Sequence, residues 1–182
     1  MEDIKTITKQ FNNAQDFNHQ LASYMDLNLK FGDKSPKEWK QYFFVKLPEH
    51  IEFENLIQIA GEIFNKYQQA SALRDKETMQ LTILEQSIKD KRNLAYQTAR
   101  DDHEKKFNKG LAAKSCEVAA DLAVKDLEDA ISNQKVAKDF WKSTCDCLTE
   151  LRKLLEMMGY ALSNDVKINR DFNVYGGNKN EH

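Results

Sequence analysis

The stretch from Glu52 to Asn108 constrains the fold of this chain more than any other, because it contains no proline and only one glycine, Gly61. It is rich in Glu, Lys, Gln, Leu and Ala, which are all good helix formers. We therefore predict one very long helix, which would extend roughly 85 Å. A helix of that length must pack against another long element or another chain.

A second long segment, 111–158, supplies that element. On both segments apolar residues recur at alternating steps of three and four, which is the spacing of a helix–helix seam. The first stripe contains Leu56, Ala60, Ile63, Tyr67, Ala70, Leu81, Leu84, Ile88 and Ala95, and is interrupted by Arg74 and Glu77. The second contains Ala120, Ala123, Leu127, Ala130, Ala137, Trp141, Leu148, Leu151, Leu155 and Met158, and is interrupted by Gln134 and Thr144.

These two stripes predict an all-α fold built on a long antiparallel helical hairpin. We place the turn at Lys109–Gly110, because glycine readily adopts the left-handed conformation that ends a helix. By the same argument, Gly159 is predicted to end the second helix. A long hairpin buries less surface per residue than a sphere does, so we also expect a homo-oligomer.

The first 50 residues have a different character, since they hold 8 of the 18 aromatic residues and both prolines. Ser35-Pro36-Lys37-Glu38 has the pattern of a helix start, with a capping serine, proline at the first helical position and glutamate where a capping box needs it. The pattern predicts a short helix from Pro36 to Lys46 that stops before Pro48.

The sequence thus predicts three segments. Residues 1–50 form an aromatic-rich helical N-terminal extension, residues 51–160 form the hairpin, and residues 161–182 form a C-terminal segment with a flexible tail.

Composition narrows the class of protein. The formal net charge of −2 provides no overall attraction to nucleic acid or to anionic lipid, so such binding would need a local patch. The three cysteines cannot all pair with one another, which favours a reducing compartment. The N-terminus lacks the pattern of a signal peptide, and no run of about 18 apolar residues occurs. We expect a cytoplasmic protein of bacterial or phage-infected host cells that does not contact a membrane.

The sequence contains no recognisable catalytic motif. Cys145 and Cys147 are two residues apart and would point to different sides of a helix, and no His or Cys pair completes a metal site. Asp101, Asp102, His103 and Glu104 are consecutive and therefore spread around a helix. No glycine-rich phosphate loop is present. The predictions are no enzyme activity, no metal and no cofactor.

The end of the predicted hairpin carries the most distinctive charge. Between residues 89 and 109, seven basic residues face four acidic ones. Lys and Arg neutralise phosphates while aromatic rings stack on bases, which is how proteins hold single strands without reading their sequence. A solvated helix face with ordinary ion pairs would show the same spacing. The candidate nucleic-acid-binding residues are Lys89, Lys91, Arg92, Tyr96, Arg100, Lys105, Lys106 and Lys109.

Two stretches resemble the UvsY-type recombination mediators of T-even-like phages, over residues 50–172. The first runs from Tyr67-Gln68-Gln69-Ala70 through a Lys/Glu-rich helix to Gly110. The second comprises Trp141, Cys147-Leu148, Leu151, Gly159-Tyr160-Ala161 and Phe172. The first 50 residues have no counterpart in that family. The chain also departs from the family's basic motif at the turn, where it has Asp102 and Glu104.

The resemblance implies a ring-like homo-oligomer that binds single-stranded DNA and helps to load a RecA-like recombinase in the presence of a single-strand-binding protein. It implies phosphate contacts for Arg100, Lys105, Lys106 and Lys109. It also implies that Trp141, Leu148, Leu151 and Leu155 hold subunits or hairpin arms together, although a core position for Trp141 is an equally good interpretation.

The alternative hypothesis is a helical scaffold or adaptor that acts only through protein contacts, for instance as a phage-encoded inhibitor of a host protein. The aromatic N-terminal segment would then be its docking module, since Trp, Tyr and Phe are enriched at interface hot spots.

Overall fold

The computed structural model describes residues 3–23 and 30–176, with side chains for 3–16 and 30–164. These residues form four helices and no strand. The two long helices pack together, which confirms the prediction of an all-α fold around a long helix pair. The helices are α1 (Ile4–Ser23), α2 (Pro36–Phe43), α3 (Phe53–Phe107) and α4 (Ala113–Gly176).

The turn between α3 and α4 is close to its predicted place but uses a different residue. Asn108, with φ of 52°, adopts the left-handed conformation, so the prediction that Gly110 does so was wrong. The physical reason is that α3 ends at Phe107, which puts Asn108 at the position after the helix. Asparagine tolerates left-handed φ better than other residues that carry a Cβ.

Gly159 does not end the second helix, contrary to the prediction. α4 continues to Gly176 and so includes much of the predicted C-terminal segment, while residues 177–182 of the predicted tail lie outside the described residues. One glycine inside a helix costs about 1 kcal/mol. Met158 beside it is fully buried, and a Cβ at residue 159 would lie 3.8 Å from Leu56 Cδ1 on α3. Packing against α3 therefore outweighs the local preference to stop.

α2 begins as predicted. The Ser35 hydroxyl accepts a hydrogen bond from the Glu38 N–H, while the Glu38 carboxylate accepts one from the Ser35 N–H, which completes the capping box. The helix ends at Phe43, three residues before the predicted Lys46. The next segment is extended because Gln15 of α1 binds both backbone groups of Val45, accepting from its N–H at 2.7 Å and donating to its carbonyl at 2.8 Å.

The described residues group into two compact units. Unit 1 comprises the described parts of Met1–Ser71 and Lys142–His182, and unit 2 comprises Ala72–Trp141. Helices α3 and α4 contribute to both units. The N-terminal extension, predicted as a separate segment, groups with the beginning of α3 and the later part of α4.

Each unit has its own buried side chains. Most predicted heptad positions of α4 are buried, whereas on α3 Leu56, Ile63, Ala70 and Leu81 are buried and most of the others are half-buried. Ala60 is exposed, and Ile59 is buried in its place. In unit 1 the fully buried residues include Ile7, Phe11, Val45, Ile63, Leu148, Leu151 and Met158. In unit 2 the buried residues include Leu81, Cys116, Ala120, Val124 and Trp141.

Candidate functional site

The candidate nucleic-acid-binding residues lie on the last part of α3 and on the turn, all within unit 2. Every one is exposed except Tyr96, which is half-buried. Because this part of α3 is a continuous helix that advances about 100° per residue, the positions of their side chains around it can be compared directly.

Four residues fall on one side of α3. Lys89, Tyr96, Arg100 and Phe107 are separated by seven, four and seven residues, and these spacings bring each to within about 40° of the next around the helix. We call this line of residues the tip face. It combines two cations with two aromatic rings, of which Phe107 is not among the candidate residues predicted from the sequence. The period of the helix could have identified it.

Other candidates point elsewhere. Lys91 and Lys105 lie about 160–200° around α3 from Lys89, so they belong to the opposite side of the helix. Asp102 shares that side with them. Cations therefore occur on both sides of α3, whereas Tyr96 and Phe107 lie on the side of Lys89 alone.

Helix α4 changes the electrostatics of this region. Arg92 Nη2 lies 2.8 Å from Asp121 Oδ1 on α4, so this guanidinium is already paired. Glu117 lies one turn before Asp121 on the same helix. Counting both arms from residue 89 to residue 126, nine basic residues face seven acidic ones, a smaller excess than α3 shows by itself. Long-range attraction of phosphates is accordingly weak here.

His103 organises the end of the hairpin. Its Nδ1 lies 2.7 Å from the carbonyl oxygen of Lys109, and this nitrogen donates the hydrogen bond because a carbonyl only accepts. The imidazole also packs against Phe107, with ring centroids 4.7 Å apart. Phe107 remains 64% exposed. The Phe107 ring thus packs against the His103 imidazole on one side and is open to solvent on the other.

The four residues assigned to subunit or hairpin packing are all buried within the single chain. Trp141 is 1% exposed and lies edge-on against Phe140, with ring centroids 4.9 Å apart. Leu148, Leu151 and Leu155 are 1–5% exposed. Their burial is complete without a second subunit.

A buried lysine in unit 1 went unnoticed in the sequence. Lys40 of α2 is 8% exposed, and its ammonium donates to Thr144 Oγ1 of α4 at 3.1 Å. Burial lowers the pKa of Lys40, and the nearby thiols of Cys147 and Cys145 partly oppose that shift. Lys40, Thr144 and Cys147 border a cavity of about 20 Å³, which has room for about one water molecule.

The buried charge makes a testable prediction about stability. Because the pKa of Lys40 is lower in the folded than in the unfolded chain, the unfolded chain binds more protons between those two values, and stability rises with pH there. Below that window the full cost of burying the charge is present. Lys40→Met should therefore raise the free energy of unfolding by about 1 kcal/mol at neutral pH. The advantage should shrink as the pH rises towards about 10.

Urea unfolding at pH 7 and pH 10 measures both effects. Lys37→Met is the matched control, because Lys37 is exposed on the same helix. It should change neither the stability nor its pH dependence appreciably. Equal behaviour of the two variants would contradict a desolvated ammonium at Lys40.

No metal-binding group of three or more His, Cys, Asp or Glu side chains occurs among the residues with described side chains. Within the described part of the chain, no helix combines the length and the apolar character needed to cross a bilayer. Comparison with protein-family models, with curated proteins and with solved structures finds no match to this chain. The resemblance to the UvsY-type mediators therefore rests on the quoted sequence stretches.

Proposed function

We propose that this chain is a single-stranded DNA-binding recombination mediator that holds DNA on the tip face and helps to load a RecA-like recombinase. The observation that supports this proposal is the alternation of Lys89, Tyr96, Arg100 and Phe107 along one exposed side of α3. Phosphates and bases alternate along a single strand, so a row of cations and rings can engage both.

Stacking carries more of the proposed binding than charge does. Glu85 and Glu104 lie one turn from Lys89 and Arg100, and Asp121 already pairs Arg92. The exposed ring of Phe107 and the half-buried ring of Tyr96 can still contribute about 1–3 kcal/mol per stacked base on this nearly neutral face. Such binding would be modest for one chain, and several copies acting together on one strand would strengthen it.

The first experiment separates the tip face from general charge. Lys89→Glu/Arg100→Glu and Lys91→Glu/Lys105→Glu change the net charge equally but lie on opposite sides of α3. We expect the first pair to weaken binding of a labelled single strand at least about 10-fold. It should also reduce the slope of log affinity against log salt concentration by an amount that corresponds to about one to two phosphate contacts. The second pair should weaken binding less than about 3-fold.

Fluorescence anisotropy at low and moderate salt measures these affinities, with a duplex of the same length as the competitor. Phe107→Ala should weaken binding about 5- to 100-fold through loss of stacking, without a change in the salt dependence. Equal losses for the two charge-reversed pairs would show diffuse attraction in place of a site. No binding of single strands by the unchanged protein would refute the proposed function.

Loading of a recombinase and contacts with a single-strand-binding protein belong to the same proposal.

The second candidate function is a scaffold or adaptor that acts through protein contacts alone, for instance as an inhibitor of a host protein. Two exposed apolar side chains on α3 in unit 1, Ile57 (73% exposed) and Phe64 (61% exposed), favour it, because apolar surface patches commonly mark interaction sites. Binding of DNA by the tip face distinguishes the two candidates.

A further inference from the structure

One side of the helix pair in unit 1 is covered by the N-terminal segment. Lys66 of α3 donates to the Phe44 carbonyl at 2.5 Å, and Tyr42 donates to Gln69 at 2.8 Å. On α4, Thr144 accepts from Lys40 of α2. These contacts fix which side of α3 and α4 is already occupied within the chain.

The opposite side of α3 carries apolar side chains that no described residue covers. Ile57 lies nine residues before Lys66, which places it about 180° around the helix. Ile57 is 73% exposed, and Phe64, two turns later on the same line, is 61% exposed. Phe53, one turn before Ile57, is 47% exposed.

Tyr160 of α4 belongs to the same face. Gly159 lies against Leu56 across the antiparallel pair, and the next residue on each helix, Tyr160 and Ile57, turns towards the same side because the helices have the same hand. Tyr160 is 74% exposed. We call Phe53, Ile57, Gly61, Phe64 and Tyr160 the bare face.

A cleft of about 230 Å³ opens on this face between α3 and α4. It lies about ten residues, or about 15 Å, along the helix pair from Tyr160. The bare face therefore carries a projecting aromatic ring near one end and an apolar cleft near the other. The cleft is lined by Ile63, Phe64, Tyr67, Gln68, Leu148, Thr149 and Arg152.

Gly61 lies midway between the ring and the cleft. It is exposed inside α3, and a Cβ built there would meet nothing within 4 Å. A glycine costs a helix about 1 kcal/mol relative to alanine, and none of the described residues requires the small size of Gly61. A second backbone that approaches α3 closely at this point would require a residue without a side chain, which glycine is.

We propose that the bare face binds the bare face of a second copy of this chain around a two-fold axis that crosses α3 near Gly61. An antiparallel arrangement about that axis places Tyr160 of each copy over the cleft of the other. It also places Ile57 opposite Phe64 and lets the two α3 helices approach at Gly61. The face is self-complementary in shape, as an isologous interface must be.

Charge complementarity supports a second copy as the occupant. Glu156 is exposed on the side of the axis that carries Tyr160, whereas Arg152 borders the cleft on the other side. The two-fold operation brings Glu156 of one copy next to Arg152 of the other. Arg152 already lies 3.6 Å from Glu156 within its own chain, so the intermolecular pair would extend an existing one.

The area of the face is close to what a dimer requires. A fully accessible aromatic side chain exposes roughly 150–250 Å², so the exposed fractions above amount to roughly 500 Å² of apolar surface. A stable interface buries about 800 Å² on each partner, including a polar rim. This two-fold dimer differs from the ring-like homo-oligomer that the resemblance to UvsY-type mediators implies. Its formation does not depend on DNA binding.

The test is the mass of the protein in sedimentation velocity across a dilution series. We expect a dimer at about 10 µM, and Ile57→Glu or Phe64→Glu should weaken it at least about 30-fold. Gly61→Leu should have the same effect although it favours the helix, which separates loss of the interface from loss of folding. The matched control is Leu94→Glu, on an equally exposed residue of α3 in unit 2, and it should leave the dimer intact.

Glu156→Arg and Arg152→Glu should each weaken the dimer several-fold, and the two together should restore it, because the exchanged charges again face each other across the axis. Circular dichroism confirms the helicity of each variant. A protein that remains monomeric at about 100 µM would overturn the proposal. So would an assembly that Ile57→Glu, Phe64→Glu and Gly61→Leu leave unchanged.

Discussion

Replacing Trp141 with alanine is expected to lower the free energy of unfolding by about 3–5 kcal/mol, the usual cost of truncating a large buried aromatic side chain. The indole is 1% exposed and packs edge-on against Phe140, so its removal leaves a cavity that the neighbouring helical backbone cannot close. The loss consists of the transfer free energy of the ring and the contacts of the atoms that surrounded it.

Chemical denaturation followed by circular dichroism at 222 nm measures this loss. The protein concentration should be far below the one at which the proposed dimer forms. Phe107→Ala is the matched control, since it removes an aromatic ring that is 64% exposed and should change stability by less than about 1 kcal/mol. A loss below about 1 kcal/mol for Trp141→Ala would mean that the tryptophan is not part of the core.

Gln15→Leu is expected to lower the free energy of unfolding by about 2–6 kcal/mol, although leucine is similar in size and more hydrophobic. The Gln15 amide is 4% exposed and binds both the N–H and the carbonyl of Val45, which is itself fully buried. Leucine would leave two buried backbone groups without partners, at about 1–3 kcal/mol each. The substitution tests whether one side chain fixes the extended segment after α2 to α1.

Hydrogen exchange of the Val45 amide gives a local measure beside urea unfolding. In the unchanged protein this amide should be protected, and in Gln15→Leu it should exchange faster than the amides within α3. Asn13→Leu is the control, because Asn13 is exposed on the same helix and should change stability by less than about 0.5 kcal/mol. Equal stability of the two variants would refute the proposed role of Gln15.

Several features of the fold could be predicted from local sequence. The limits of α3 follow from helix-forming composition without proline, and the start of α2 follows from a capping box whose hydrogen bonds form within four residues. The end of α4 could not be predicted in this way. The glycine at 159 is a local stop signal, but Met158 and Leu56 decide the outcome through packing between distant parts of the chain.

The polar interruptions of the heptad stripes illustrate the same limit. Gln134 donates to the backbone carbonyl of Glu77 at 3.2 Å and to its carboxylate, so two interruptions on different helices satisfy each other. Thr144 accepts from Lys40, a residue of α2 that the heptad pattern does not include. Each residue by itself is a defect in an apolar stripe. Only their positions across the helices show that they are partners.

The candidate site divides along the same line. The sequence by itself determined that the cations and Tyr96 lie at one end of a helical pair, because composition and periodicity are local properties of the chain. Only the tertiary structure decided that Asp121 of α4 pairs Arg92 of α3. It also decided which side of α3 the N-terminal segment covers and which side remains bare. These outcomes depend on contacts between residues far apart in sequence, and no local pattern encodes such contacts.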